Sequence, residues 1–161
     1  RLNTMVEISD VQHMLDSHPF FLDMPPESRA VLVGCAANEL FAAGETIFRE
    51  GDPADRFYLI RHGQVGMELR VPGQPAVVVG TLEAGDVLGW SWLVPPYKWI
   101  IDARARTLVR ALSLDAVCLR GKCEQDHTLG YELYKRFIPV MAKRLFAGRL
   151  QLADVYAHPN G

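Results

Sequence analysis

The chain has 161 residues, 49% of them hydrophobic and 22% charged, and a net charge of −2. That is room for one domain with a substantial core, or for a domain plus a long helix. The charge balance argues against a general nucleic-acid binder, and no apolar run is long enough for a membrane span.

The charge is unevenly spread. Residues 1–40 carry two basic and six acidic side chains, whereas residues 116–161 carry seven and four. The basic C-terminal part reads as a solvated helix face, with contact to an acidic partner as the alternative. Cys35, Cys118 and Cys123 lack the paired close spacings of a zinc site. They are expected to be free thiols in a reducing cytoplasm, with Cys35 buried and inert.

From the N-terminus, Met5, Ile8, Val11 and Leu15 recur at helical spacing, and Ser17-His18-Pro19 ends that helix. Phe20, Phe21 and Leu22 read as an apolar plug. Pro25-Pro26-Glu27 opens a second helix with Val31, Leu32 and Cys35 on its buried side. His13 and His18 have no companion at metal-ligand spacing.

From Asn38 the period becomes that of strands. Strands are expected at 39–42, 46–49, 56–60, 64–71, 76–82, 102–107 and 108–114, with a short one after Gly85-Asp86. His62-Gly63 reads as a hairpin turn, and Glu50 to Asp55 as a dense turn. Short strands at intervals of about ten residues argue for an antiparallel β-roll of about eight strands, a double-stranded β-helix or jelly-roll. The fold class is therefore mainly β with flanking helices.

Residues 85–105 interrupt the roll. Gly89 opens a one-turn aromatic segment, Trp90-Ser91-Trp92-Leu93, and Pro95-Pro96 stops it from growing. All three tryptophans lie between residues 90 and 99. A glycine-opened turn between strands can aim backbone N–H groups at an anion, and indoles can equally plug such a place. After a short helix or turn at Cys123 to His127, residues 128–156 form a long amphipathic helix, with Pro139 expected to kink it. Its length of about 40 Å exceeds what a small roll needs for cover. The excess suggests packing on a second copy. The chain thus divides into an N-terminal helical segment (1–37), the roll (38–115) and C-terminal helices (116–161), all of one domain.

The segment GETIFREGDPADRFYLIRHGQV, with Gly85-Asp86, Gly89 and the long helix, resembles the cyclic-nucleotide-binding domain. This is the sensor fold of the catabolite activator protein (Crp/Fnr-like) family, of kinase regulatory subunits and of gated channels. The resemblance covers roughly residues 15–155. It implies a regulatory, ligand-sensing module and a cyclic nucleotide or other small anionic ligand held by Val87, Leu88, Gly89, Trp90, Ser91 and Trp92.

In the family, a Glu follows the glycine matching Gly89, and an Arg with a small or hydroxyl residue grips the cyclic phosphate. Here Trp90 stands at the first place, and Trp99 and Ile100 stand near the others. Lys98 is the nearest cation. Gly148 and Arg149 fall where the family's helix meets the purine. Two readings follow: a sensor with an altered pocket, walled by the tryptophans and charged by Lys98 or Arg149, or a degenerate, ligand-free dimerisation or interaction domain. The partners implied are a second copy through the last helix and a protein target, with neither a membrane nor DNA, since the reading helix of the activators is not in this sequence. No nucleophile elbow, phosphate loop or metal-ligand cluster points to an enzyme.

Overall fold

A computed structural model of the chain describes residues 8–158. Met5, placed by periodicity on the first helix, lies outside the described residues. The N-terminal segment is α1 (Ile8–Ser17), a single 3-10 turn (Pro19–Phe21) and α2 (Pro26–Val33). Eight strands follow: β1 (Ala36–Phe41), β2 (Thr46–Phe48), β3 (Arg56–His62), β4 (Val65–Leu69), β5 (Val77–Leu82), β6 (Val87–Leu88), β7 (Asp102–Ala105) and β8 (Val109–Asp115). Helices α3 (Ala116–Gln125) and α4 (His127–Ala157) close the chain.

The strands form two four-stranded antiparallel sheets, in the orders β1-β8-β3-β6 and β2-β7-β4-β5. β3 and β4 therefore lie in different sheets, and His62-Gly63 is a crossover rather than the expected hairpin turn. Gly63 has φ +91, and a Cβ there would collide with the Leu108 carbonyl. A turn of the same residue types serves both connections, so only the pairing partners separate them.

β3 is buried on both faces because it sits between the roll interior and the helices. Phe57 stacks on Trp92 with centroids 4.9 Å apart and meets Phe137 of α4 edge-on at 5.1 Å. Tyr58, on the opposite side of the pleat, meets Phe41 edge-on at 5.8 Å. Of the expected plug, Phe21 is fully buried and Phe20 packs against the core, but Leu22 is exposed. His18 ties this turn to the roll. Its Nδ1 accepts from the Phe20 N–H at 3.2 Å, so Nε2 carries the proton toward the Ile60 carbonyl at 3.1 Å.

The register sets Glu68 opposite Asp102, two acids side by side on β4 and β7. Each has its own arginine. Arg70 Nε donates to Asp102 at 2.6 Å and Arg104 Nε to Glu68 at 2.9 Å. Asp102 also accepts the Glu50 N–H at 2.7 Å. The Arg70 hydrogen bond holds the Asp102 carboxyl below its ordinary value, against the opposing effect of burial.

The free thiols expected at positions 35 and 118 are instead a disulfide, with Cα atoms 6.2 Å apart across 83 residues of sequence. Antiparallel pairing of β1 with β8 sets Ala36 opposite Leu114, which brings the residue before one strand to the helix after the other. Cys123 is free. α3 starts well before the short helix or turn expected from Cys123, because Asp115 caps it by accepting the Cys118 N–H at 2.9 Å. Arg120 of α3 donates to the Trp92 carbonyl at 2.8 Å and lies 4.2 Å over the Tyr97 ring.

Asp126 caps α4 through the N–H groups of Thr128 and Leu129. The helix runs 31 residues and continues through Pro139. Leu129, Leu133 and Phe137 are buried beneath it. A second apolar row, Tyr131, Tyr134, Ile138, Met141, Leu145, Gly148, Leu152 and Val155, alternates three- and four-residue steps, winds from the outer face toward the buried stripe and is almost wholly exposed. No helix among the described residues is long and apolar enough to cross a membrane.

Candidate ligand-binding site

The site begins at the Gly85-Asp86 turn. Gly85 has φ +94, and the Asp86 carboxylate accepts the Glu83 N–H at 2.8 Å. β6 follows, and Gly89 at φ +95 turns the chain into the 3-10 helix Ser91–Leu93. Trp92 from this turn goes inward, fully buried against Phe57 and Phe137.

After the prolines the chain runs back along the Gly51-Asp52 turn. The Trp99 carbonyl accepts the Gly51 N–H at 2.8 Å, and the Trp99 N–H donates to the Asp52 carbonyl at 2.9 Å. These two bonds fix the indole. It stacks on Phe48 at 3.8 Å with the planes 8° apart, and its far edge lies against Gly89.

Helix α4 roofs the space between this cassette and β4–β5. Arg144, half-buried, donates through Nη2 to the Val87 carbonyl. Two turns on, Gln151 donates to the Val79 carbonyl at 2.9 Å. Beneath these two latches lies a cavity of about 570 Å³, large enough for a small organic ligand. Its apolar lining includes Trp90, Trp99, Phe20, Met67, Leu82 and Val140.

Of the residues singled out from sequence, the structure brings Val87, Gly89, Trp90, Ser91, Trp99, Ile100 and Gly148 to this cavity. Leu88 and Trp92 are core residues instead, at 1% and 0% exposure. Lys98 alternates with Trp99 along an extended segment paired to Pro53, so its exposed side chain lies off the cavity. Arg149 is exposed on α4 and does not line the space. The cation that does is Arg144, with Lys143 at the exposed edge.

Sequence reasoning missed Arg144 and Gln151, yet a signal existed. Phe137, Val140, Arg144, Ala147 and Gln151 share one helical stripe that continues the buried one. Burial lowers the Arg144 pKa, against the raising influence of Asp86.

Residues 38–126 match the model of the cyclic nucleotide-binding domain. The chain belongs to the cyclic nucleotide-binding domain family. A CRP-like cAMP-activated global transcriptional regulator of Mycobacterium tuberculosis is 29% identical over 135 residues, 84% of this chain; the chain spans 58% of that regulator's length. Among solved structures, a cyclic nucleotide-binding domain from Methylobacillus flagellatus superposes with a TM-score of 0.75 at 16% identity, covering 91% of this chain and 83% of that one. The Thermus thermophilus catabolite activator protein gives 0.66 at 21% identity, covering 86% and 63%. At these identities the two structures share the fold of this cyclic nucleotide-binding domain, and its pocket stands on its own residues.

Proposed function

We propose that this domain is a ligand-sensing regulatory module whose receptor site is the cavity under α4, and that its cassette does not grip a cyclic phosphate in the manner the resemblance implies. The reading rests on the placement of Trp99. A fixed, stacked indole lies against Gly89, where the family relies on a glycine amide and a guanidinium, and Trp90 stands where it has an acid. The cavity remains beside that indole, which favours a retuned sensor over the degenerate, ligand-free reading.

In this reading α4 is the output element, because Arg144 and Gln151 hold it to β6 and β5 at the cavity's own lining. Its exposed row of alternating three- and four-residue steps is the pattern of a coiled-coil seam, and Gly148 in that row has open space where a Cβ would stand. We therefore read the functional unit as a homodimer that signals to a protein partner, by binding rather than catalysis. Titration with cyclic AMP and cyclic GMP, followed by tryptophan emission, tests the cassette. A flat response into the millimolar range is expected, and saturable binding that survives Arg144→Met would defeat the reading.

A further inference from the structure

Given the cavity as receptor site, its lining also specifies the kind of molecule it takes; this step rests on the reading just proposed. The walls are aromatic and aliphatic: Trp90, Trp99 and Phe20 with Met67, Leu82 and Val140. Polar groups are few, and several are already engaged. Gln151 gives its amide to the Val79 carbonyl, and Asp86 takes the Glu83 amide. Thr81 and Ser91 contribute one hydroxyl each.

A nucleotide buried here would bring ribose hydroxyls, ring nitrogens and exocyclic groups. Each left unmatched loses its water partner with nothing in exchange. The lining offers no such array.

Arg144 is different. A guanidinium presents five N–H groups in a planar fork, and here the Val87 carbonyl is its one hydrogen-bond acceptor among the described residues. It makes no ion pair among the described residues. Asp86 of the same lining favours its charged form without ion-pairing to it, but burial outweighs that influence, so this cation stays short of counter-charge at the boundary between the apolar cavity and the β6 backbone.

A carboxylate matches that fork in shape and charge, and the charged side chains of the lining, Arg144 and Lys143 against Asp86, leave a single positive charge for it to balance. The geometry points to an apolar monocarboxylate as the ligand, with an aryl or alkyl body against the Trp90–Trp99 wall and its carboxylate on Arg144. Because the same guanidinium fastens α4 to Val87, a carboxylate arriving there bears directly on the helix that carries the signal.

The test uses the whole 161-residue chain. Trp90 and Trp99 line the cavity, so tryptophan emission reports occupancy, with calorimetry as the second readout. The probes are 4-phenylbutyrate, its neutral analogue 4-phenylbutyramide, and cyclic AMP. The acid is expected to saturate and the amide to bind at least about tenfold more weakly, the worth of one charge-assisted contact. Arg144→Met should bring the acid down to the level of the amide while leaving the amide unchanged, and Arg144→Lys should restore part of the preference.

Equal binding of acid and amide to the wild type overturns this inference and leaves the cavity as a ligand site for neutral molecules. If Arg144→Met loses both probes, Arg144→Lys decides: a recovered preference for the acid supports the assignment, and none overturns it. Cyclic AMP binding while the acid does not overturns this inference, and it overturns the altered cassette as well if that binding survives Arg144→Met. Silence from all three probes overturns the receptor cavity itself.

Discussion

The six-membered ring of Trp99 covers Gly89. Its Cη2 lies 2.5 Å and its Cζ3 2.6 Å from the point a Cβ on that glycine would take. A real Cβ cannot stand there without moving the indole, and the indole is held by its stack on Phe48 and by two backbone bonds to the Gly51-Asp52 turn. Gly89→Ala is expected to cost about 1–3 kcal/mol from the positive φ and the collision together. In a Trp99→Leu background the collision disappears and the strain stays. Urea unfolding of the two single variants and the double should therefore show a favourable coupling of at least about 0.5 kcal/mol. Strict additivity would mean that the ring does not cover the glycine. Trp99→Ala alone should cost about 3–5 kcal/mol, as expected for a packed indole.

The exposed row on α4 predicts a change of oligomeric state. Leu145→Asp and Leu152→Asp each place a charge in the seam and remove nothing from the roll, since both side chains are exposed in one chain. Sedimentation should give a dimer for the wild type and a monomer for either variant, with an unchanged melting profile of the roll. A wild type that sediments as a monomer at high concentration contradicts the pairing.

Asp102 and Arg70 form a pair with unequal stakes. Asp102 is buried and satisfies the Glu50 amide, whereas Arg70 is exposed to solvent. Asp102→Ala should cost about 1–3 kcal/mol by leaving that amide without its acceptor. Arg70→Ala should cost little, because water replaces the lost partner. The Asp102 carboxyl is depressed in the fold, so its contribution is present above the ordinary aspartate value and is lost as pH falls through the lower folded value. Asp102→Asn should remove that acid-side slope from the urea midpoint. A slope that survives assigns it to other carboxylates.

His18 gives a second pH dependence, nearer neutrality. Burial lowers its pKa first; the Ile60 bond pushes it up, Arg61 down and Asp86 up, with a net depression. The fold thus holds His18 neutral, and protonation would take Nδ1 away from the Phe20 amide. The unfolded chain binds the proton more readily, so stability is full above the ordinary histidine value of about 6.5 and declines as pH falls below it. His18→Asn keeps a short acceptor at the cap and should flatten the urea midpoint between pH of about 7 and about 5. An unchanged profile would place the titrating group elsewhere.

The Cys35–Cys118 bridge is checked by counting thiols. Of three cysteines in the sequence, Cys123 alone should react in denatured, unreduced protein, and all three after reduction. Closing a loop of this length should be worth about 2–4 kcal/mol, read as a fall in urea midpoint on reduction. Three reactive thiols before reduction would exclude the bridge.

Much of the roll was legible because its signals are local. Glycines with positive φ at Gly44, Gly51, Gly63 and Gly85 mark the turns, and apolar runs such as Phe57 to Ile60 mark the strands between them. What was not legible depends on partners far along the chain. The crossover at Gly63 needs the knowledge that β3 pairs with β8, and the disulfide needs the β1–β8 register. The site divides in the same way. The cassette could be located from Gly89 and the tryptophans, but the inward direction of Trp92 and the outward one of Lys98 follow from packing. Arg144 was overlooked because a charged residue on a helix reads as solvated until the surface under that helix is known. Its neighbours Val140 and Ala147 lie on the same stripe and line the same cavity.

Helix α3 is bolted twice: to the start of β1 by Cys118, and to the cassette by Arg120, which holds the Trp92 carbonyl and lies over Tyr97. α4 begins two residues later, with Asp126 between the helices as its cap. The first part of α4 is fixed as well, because Leu129, Leu133 and Phe137 are buried and Phe137 packs on Phe57 and Trp92. Any stroke this molecule makes therefore pivots beyond Phe137, where Pro139 removes one helical hydrogen bond, with Arg144 and Gln151 as the catches that must open and the exposed end of α4 as the lever.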